Sequence, residues 1–236
     1  MIFAHAWKLL ARNPIIVLPG VVLAIVGSLI DAIGSSLLAR SELTVTGTAA
    51  TIAATQLFAS IAIFVVSAAL SLVQMMVVTG MAGGAWAHGS TSLRDGWSAL
   101  AHRLPAAALA GALLLVLGFC AAALAPATFV LSIVLYALLF IYTMAAVVIG
   151  GHPPIKAIIE SARLALANAR PTVAVVGMIF VIALVAGGLG GLLGQRWPFG
   201  GWLVAGLLQQ VIVAYATLVI AGEYLKLASD LHDPVS

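Results

Sequence analysis

Four polar residues interrupt long apolar stretches of the sequence and are the first candidates for chemistry. One is a carboxylate, Asp31, and three are amides, Gln56, Gln209 and Gln210. A polar layer of this kind could bind an ion along a transport pathway, because ionisable residues inside a membrane are rare and usually functional. Two structural roles compete with this one. The layer could hydrogen-bond neighbouring helices together, or Asp31 could lie shallow enough to reach headgroup water.

The residue patterns of familiar catalytic sites are missing from the sequence. It contains no GxSxG nucleophile elbow, no HExxH zinc motif and no GxxxxGK[ST] phosphate loop. Its five histidines fall outside the apolar stretches, so none of them could bind haem or a metal between membrane-spanning helices. Its single cysteine, Cys120, cannot form an intramolecular disulfide. The sequence therefore predicts a protein that is not an enzyme and that binds no metal or cofactor.

The composition indicates what surrounds these residues. Hydrophobic residues make up 64% of the 236 residues, charged residues only 7%, and the mean hydropathy is +1.22. Soluble domains average about 25% charged residues, so this chain cannot cover a water-exposed surface. The same apolar excess excludes a disordered chain. An integral membrane protein is the class that remains.

About six apolar runs are long enough to cross a bilayer, since a helical span needs about 20 residues. They lack alternating polarity, which favours helices over a β-barrel. We therefore predict an all-α fold, a six-transmembrane-helix bundle that forms one domain over 1–236 with a short cytoplasmic tail over 227–236. The third and fourth spans are joined by a tight hairpin at Ala125-Pro126-Ala127. The predicted spans are Ile15–Leu38, Ile52–Gly80, Leu104–Ala125, Thr128–Gly150, Thr172–Leu193 and Trp202–Gly222.

The basic residues predict the orientation of the bundle. With a cytoplasmic N-terminus, eight of them lie on the inner side and two, Arg40 and Arg196, on the outer side. Both termini are then cytoplasmic, and we expect the bacterial cytoplasmic (inner) membrane. The predicted partners are anionic lipid headgroups of the cytoplasmic leaflet, and not nucleic acid. The residues expected to contact these headgroups are Lys8, Arg12, Arg94, Arg103, Lys156, Arg163 and Arg170.

Three cytoplasmic segments lead into outgoing spans in a similar way. Each has an Arg one or two residues before a Pro and a Gly six residues after it, at Pro14/Gly20, Pro105/Gly111 and Pro171/Gly177. Pro ends the preceding helix and is tolerated in the first turn of the next, while Gly permits close helix approach. The pattern predicts a three-fold internal repeat with units 1–82, 91–150 and 152–226. The alternative is that any cytoplasmic loop before a span is basic and contains Pro.

A short amphipathic helix is predicted before each of these prolines, lying in the plane of the membrane interface. Ser92 and Asp95 resemble a capping box at the start of the second one. The predicted apolar faces are Phe3, Trp7 and Leu10 in the first helix, Leu93, Trp97, Leu100 and Leu104 in the second, and Ile155, Ile159, Ala162 and Leu166 in the third.

Glycines four residues apart in the fifth span, Gly187 and Gly191, predict close helix packing. Their partner is either another helix of the same bundle or a second copy in a homo-oligomer. Two further polar residues, Gln74 and Glu223, lie near predicted inner ends of spans. We expect Gln74 in the interface and Glu223 at a solvated helix end.

Three stretches carry a family resemblance: WKLLARNP, GMAGGAWAHGSTSLRDGW with the following RLP, and PPIKAIIESARLALANARP. With them the chain resembles a group of uncharacterised bacterial six-helix membrane domains, one of which accompanies some glycerophosphodiester phosphodiesterases. The resemblance covers most of the chain and implies the six-span topology. The catalytic part of those phosphodiesterases has no counterpart in this sequence, so no functional residue carries over.

Three functions fit these features. A membrane scaffold or membrane-shaping protein that interacts with lipids and forms oligomers is favoured, because three amphipathic helices at one leaflet would wedge it. A small transporter or channel component would use the polar layer around Asp31. An accessory subunit of a membrane enzyme would need none of these residues for chemistry.

Overall fold

The computed structural model describes residues 2–26, 29, 49–128 and 130–232, and every regular element within them is helical. The all-α prediction is confirmed for these residues. Asp31 and Arg40 lie outside them. In chain order the helices are α1 (Ile2–Arg12), α2 (described over Pro14–Val26), α3 (Ala49–His88), α4 (Leu93–Thr128), α5 (Leu131–Phe140), α6 (Thr143–Val148), α7 (Pro154–Ala167), α8 (Ala169–Arg196) and α9 (Pro198–His232).

Five segments of the described chain are long and apolar enough to cross a membrane. They lie in α3, in α4, in α5 together with α6, in α8 and in α9. The count rises to six if α1 and α2, which are bent by 91°, form one broken span. The predicted span Ile15–Leu38 is described only through Val26 and at Leu29. This architecture is compatible with a multi-pass membrane protein of five to six spans.

Several helices extend past the ends of the predicted spans. α3 continues to His88 instead of ending near Gly80, and α9 continues to His232, through most of the predicted tail. The 40 residues of α3 form about 60 Å of helix, against a hydrocarbon thickness of about 30 Å. Hydropathy places the ends of α3 and α9 too early, because helical hydrogen bonding continues after the side chains stop being uniformly apolar.

Two prolines lie inside a helix that they were expected to interrupt. α4 is continuous from Leu93 to Thr128 and contains both Pro105 and Pro126, so the second amphipathic helix and the third span are one helix. The turn follows Thr128 and has Val130 in the left-handed region (φ 70°), so the predicted hairpin position was wrong. Pro105 removes one helical hydrogen bond, at a stretch of α4 that is exposed and where other donors can replace it.

Side-chain hydrogen bonds hold the loop between α3 and α4 at both ends. The amide of Asn13, buried at the corner between α1 and α2, donates to the Gly89 carbonyl at 3.2 Å and accepts from the Thr91 N–H at 3.1 Å. Half of the capping box is present: the Ser92 N–H and hydroxyl donate to Asp95 Oδ2 at 2.8 and 3.0 Å, whereas the Asp95 N–H donates to the Ser92 carbonyl at 3.1 Å. The loop therefore connects α1 to the start of α4.

Replacing Asn13 with Ala is expected to destabilise the protein by about 1 kcal/mol, because the Gly89 carbonyl and the Thr91 N–H lose partly buried hydrogen bonds. The thermal unfolding midpoint in detergent measures the loss, and faster proteolysis between residues 88 and 92 reports the released loop. Asn168→Ala is the matched control, since its amide bonds only Leu164 in the preceding helix turn. Equal stability of the two variants would contradict the role of Asn13.

The fourth span is broken between α5 and α6, and Ser161 of α7 fills the break. Its hydroxyl donates to the Leu139 carbonyl at 2.8 Å and accepts from the Tyr142 N–H at 3.1 Å, so two backbone groups at the interruption are satisfied. The Tyr142 hydroxyl lies 3.2 Å from the Thr172 hydroxyl of α8. Ser161 and Tyr142 are fully buried. This polar cluster fixes α7 to the bundle.

Buried side chains concentrate at one end of the bundle. α6 is buried along its whole length, and the second halves of α3 and α9 supply about half of the rest of the core. α1 and α7 pack against this same cluster. Towards the other end, many large apolar side chains are exposed, among them Phe58, Phe119 and Phe180. In a bilayer such side chains contact lipid.

The predicted apolar faces of α1 and α7 are only partly turned to the core. In α1, Leu10 of the predicted face is buried with Ala6 and Leu9, and Phe3 packs against the core, whereas Trp7 is 58% exposed. α7 buries Ala157, Ser161, Leu164 and Ala165 and exposes the large residues of its predicted face, Ile155, Ile159 and Leu166. Small side chains let helices approach closely, and large apolar ones lose little by facing lipid, which accounts for the exposed large residues of both helices.

The three predicted repeat units differ in detail. The chain bends before the first span and breaks at Asn168 before the fifth, but it continues as helix through Pro105. A Cβ added at Gly20 or Gly111 would meet a neighbouring helix within 3 Å, whereas nothing lies within 4 Å of one at Gly177. The three-fold repeat therefore stays a prediction.

Candidate functional site

The basic residues predicted to contact headgroups lie at the end of the bundle that holds the buried core. Asn13 connects α1 to the start of α4, and Arg103 of α4 donates to the Gly151 carbonyl just before α7 at 3.3 Å. All seven basic side chains are exposed. We refer to this surface as the basic end, and its cations are Lys8, Arg12, Arg94, Arg103, Lys156, Arg163 and Arg170.

α8 separates the basic end from the opposite end of the bundle. Arg170 lies in its first turn and Arg196 is its last residue. The helix between them is about 40 Å long, which exceeds the hydrocarbon thickness of about 30 Å. If α8 crosses a membrane, these two residues lie on opposite sides of it, as the charge distribution predicts.

A groove of about 540 Å³ lies between α4 and α7 at the basic end. Lys156 and Arg163 line it together with Leu109, Ile155 and Ile159, and each of these three apolar side chains is more than half exposed. Cations beside exposed apolar side chains match the two parts of a phospholipid, its phosphate and its acyl chains. The lining is completed by Pro153, Pro154 and Glu160.

Glu160 is the one acidic residue in the lining of this groove. It is half-buried and lies near enough to Tyr224 of α9 to interact with it electrostatically, whereas Lys156 and Arg163 are exposed. The carboxylate therefore faces the bundle more than the two cations do. The outer part of the groove is positive and favours an anionic ligand.

Arg103 holds the loop that forms one wall of the groove. Gly151, whose carbonyl it contacts, has a φ of 67°, a left-handed conformation that favours glycine. A Cβ at Gly151 would lie 2.7 Å from Nη2 of Arg103, so the guanidinium packs directly on the glycine. This contact fixes Pro153 and Pro154 beside α4.

The polar layer predicted from the sequence is only partly described. Asp31 and the side chain of Gln56 lie outside the described residues, and Gln209 is exposed. Gln210 accepts a hydrogen bond at Oε1 from Nε2 of Gln74, at 2.6 Å. Gln74 is half-buried between α3 and α9, and its expected position at the membrane interface stays a prediction.

A double-mutant cycle on Gln74 and Gln210 is expected to give a coupling energy of about 0.6–1.7 kcal/mol, the range for hydrogen bonds between membrane helices. The free energy of unfolding of Gln74→Leu, Gln210→Leu and the double variant measures it. Gln209→Leu is the matched control, since Gln209 is exposed. Additive effects of the two substitutions would show that the bond adds nothing to stability.

Glu223 was expected at a solvated helix end, and the structure corrects this. Its side chain is 3% exposed, and α9 continues for nine further residues. The carboxylate lies near enough to Tyr142 to interact with it electrostatically. Thr143 follows Tyr142 and is the first residue of α6. Its buried hydroxyl has no hydrogen-bond partner among the described residues. The apolar residues Leu225 and Leu227 were the available indication that the buried helix continues.

A larger cavity of about 750 Å³ opens between α3, α4, α5 and α9. Its walls are almost entirely apolar. The hydroxyls of Ser71 and Tyr136 donate to the backbone carbonyls of Ser67 and Leu114, and Ser67 is the third hydroxyl residue of the lining. The cavity therefore offers a mainly apolar surface.

Gly187 and Gly191 make no close contact with the described part of the chain. Nothing lies within 4 Å of a Cβ added at either residue. Tight glycine contacts occur at other positions, among them Gly96 against Val77 and Gly222 against the Trp86 ring. A packing role for Gly187 and Gly191 stays a prediction for a contact with a second copy.

The described His, Cys, Asp and Glu side chains are dispersed. Among them, no group of three His, Cys, Asp or Glu residues lies close enough together to hold a metal ion. The groove at the basic end can bind an anion beside an apolar chain. A comparison with protein families, curated proteins and solved structures finds no match to this chain.

Proposed function

We propose that this chain is a non-enzymatic protein of the bacterial cytoplasmic membrane that binds anionic lipids at its basic end and shapes or organises the membrane there. One observation carries the proposal: cations and large apolar side chains are exposed together at the same end of the bundle. The exposed apolar side chains include Trp7 on α1, Trp97 on α4, and Ile155, Ile159 and Leu166 on α7.

The packing of α1 and α7 supports a wedge in one leaflet. Their inner faces are buried in the core, so the two helices cannot rotate freely to hide their outer faces. An amphipathic helix at an interface inserts its apolar side chains about 5–10 Å into the headgroup and acyl boundary. Each nearby Lys or Arg adds about 1 kcal/mol of attraction to anionic lipid. The basic end would therefore expand the leaflet that it contacts.

Reconstitution into liposomes tests the proposal. We expect vesicles that contain anionic phosphatidylglycerol to become smaller or tubular as the protein density rises, as seen by electron cryomicroscopy. Vesicles of zwitterionic phosphatidylcholine should respond less at the same density. Unchanged vesicle shape in both lipids would contradict a membrane-shaping role.

The proposal includes a homo-oligomer, because organising a membrane requires contacts between copies. The exposed glycines Gly187 and Gly191 of α8 permit a close approach by a second helix. Cross-linking in the same liposomes should give dimers that Gly187→Leu and Gly191→Leu remove. Dimers that persist in both variants would place the interface elsewhere.

A transporter or channel component is the second candidate, and the buried Glu223 favours it. A carboxylate enclosed by helices in a membrane protein marks an ion or substrate pathway by default. Ion flux into proteoliposomes tests this function, and Glu223→Gln should reduce it. Equal flux with and without protein would remove the candidate.

A further inference from the structure

We propose that the groove between α4 and α7 is a discrete site for one anionic phospholipid. Lys156 and Arg163 hold its phosphate, and Leu109, Ile155 and Ile159 contact the upper part of its acyl chains. This inference rests on the proposed lipid-binding function and adds to it a single saturable site. A general attraction of the basic end for anionic lipid would not require such a site.

The register of α7 places the two cations on one stripe. Lys156, Ile159 and Arg163 are separated by three and four residues, so they follow one another along the same side of the helix. The two cations are about 10 Å apart along the helix axis, a gap that their long flexible side chains can close around one phosphate. Ile159 lies between them and forms an apolar floor below the bound group.

The apolar part of the groove selects a lipid over a free anion. Leu109, Ile155 and Ile159 are 53%, 66% and 61% exposed, and a small soluble phosphate would leave them uncovered. An acyl chain that continues from the bound phosphate covers them, and each buried methylene adds to affinity. The N-terminus of α7 at the same place adds the positive end of a helix dipole.

Arg103 acts as a positioning residue for the site. Its guanidinium packs on Gly151 and bonds the carbonyl of that residue, which keeps Pro153 and Pro154 in place as a wall. Gly151→Ala adds a methyl group where the guanidinium lies and also strains a left-handed residue. This substitution alters the groove without changing its charge.

Native mass spectrometry of the full chain in detergent tests the site, with phosphatidylglycerol and phosphatidylcholine as the added lipids. We expect one tightly retained phosphatidylglycerol per chain. The variant Lys156→Gln with Arg163→Gln should bind it about thirtyfold more weakly, from two lost cation contacts. The matched control, Lys8→Gln with Arg12→Gln, removes two exposed cations of α1 and should keep the tightly bound lipid.

Three further measurements separate a lipid site from charge alone. Lys156→Arg with Arg163→Lys keeps both charges and should keep the lipid. Ile159→Ser keeps every charge and should weaken retention, as should Gly151→Ala. Millimolar inorganic phosphate should fail to displace the lipid, and displacement by it would identify a free-anion site instead and overturn the proposal.

The outcomes also separate this inference from the proposed function. Equal loss of phosphatidylglycerol in the groove variant and in the α1 control would overturn the discrete site but leave a general anionic attraction standing. No preference for phosphatidylglycerol over phosphatidylcholine in the unmodified protein would overturn both. Retention of one lipid by the groove variant at unchanged affinity would also overturn the site.

Discussion

Replacing Ser161 with Ala is expected to destabilise the folded protein by about 3 kcal/mol. The hydroxyl of Ser161 is the partner of the buried Tyr142 N–H and of the partly buried Leu139 carbonyl, and each loses its hydrogen bond in the variant. A buried group left without its partner costs about 1–3 kcal/mol. The free energy of unfolding in mixed detergent micelles measures the effect.

Ser98→Ala is the control for this prediction. Ser98 also donates from its hydroxyl to a backbone carbonyl, that of Asp95, but it is exposed. We expect its loss to change stability by less than about 0.5 kcal/mol, as for other exposed positions. Similar effects of the two substitutions would show that Ser161 does not hold the break between α5 and α6.

Replacing Gly96 with Leu is expected to prevent folding, and Gly96→Ala to destabilise the protein by about 1–3 kcal/mol through overpacking. A Cβ at Gly96 would lie 2.7 Å from Cγ1 of Val77 and 2.8 Å from its carbonyl oxygen. The second contact is with backbone, so α3 itself must move away from α4. The yield of monodisperse protein and its thermal unfolding midpoint measure the two effects.

Gly188→Ala is the matched control on α8. Nothing lies within 4 Å of a Cβ at Gly188, so the methyl group meets no obstacle. Alanine is favoured over glycine in a helix by about 1 kcal/mol, and we expect this variant to be as stable as the unmodified protein or more so. A tolerated Gly96→Leu would contradict the close crossing of α3 and α4.

Composition and charge were enough to predict the coarse architecture. The excess of apolar residues predicts helices that span a membrane, and five to six such segments are present in the described residues. Pro14 predicts a break in the helix, and the structure has a 91° bend between α1 and α2 at this position. The seven cations expected at headgroups are all exposed at one end, because no apolar environment accepts an unpaired Lys or Arg.

The sequence could not predict which faces of the helices meet. Trp7 and Ile155 lie on apolar faces that spacing alone could assign either to lipid or to protein, and both are exposed, because the lipid around a membrane protein is as apolar as its interior. Hydropathy also says nothing about pairing between distant residues. The contact of Gln74 with Gln210 and the insertion of Ser161 between α5 and α6 depend on how the helices cross.

The location of the core gives the candidate site its physical basis. Buried packing and polar clusters are concentrated at the basic end, which therefore holds α1 and α7 in fixed positions. A lipid site built on helices held in fixed positions keeps its geometry. A cation on a free loop would bind lipid only through nonspecific electrostatic attraction. We therefore expect lipid binding to depend on groove residues more than on the total number of basic residues.

The most direct test of the whole account is the membrane side of three residues in the full chain. Cys120→Ser removes the exposed native thiol, and Arg94→Cys, Lys156→Cys or Arg196→Cys then adds one label site for a membrane-impermeant thiol reagent. Residues 94 and 156 should be labelled from the same side and residue 196 from the opposite side. Labelling of 94 and 156 from opposite sides would contradict the basic end as one surface, and with it both lipid-binding proposals.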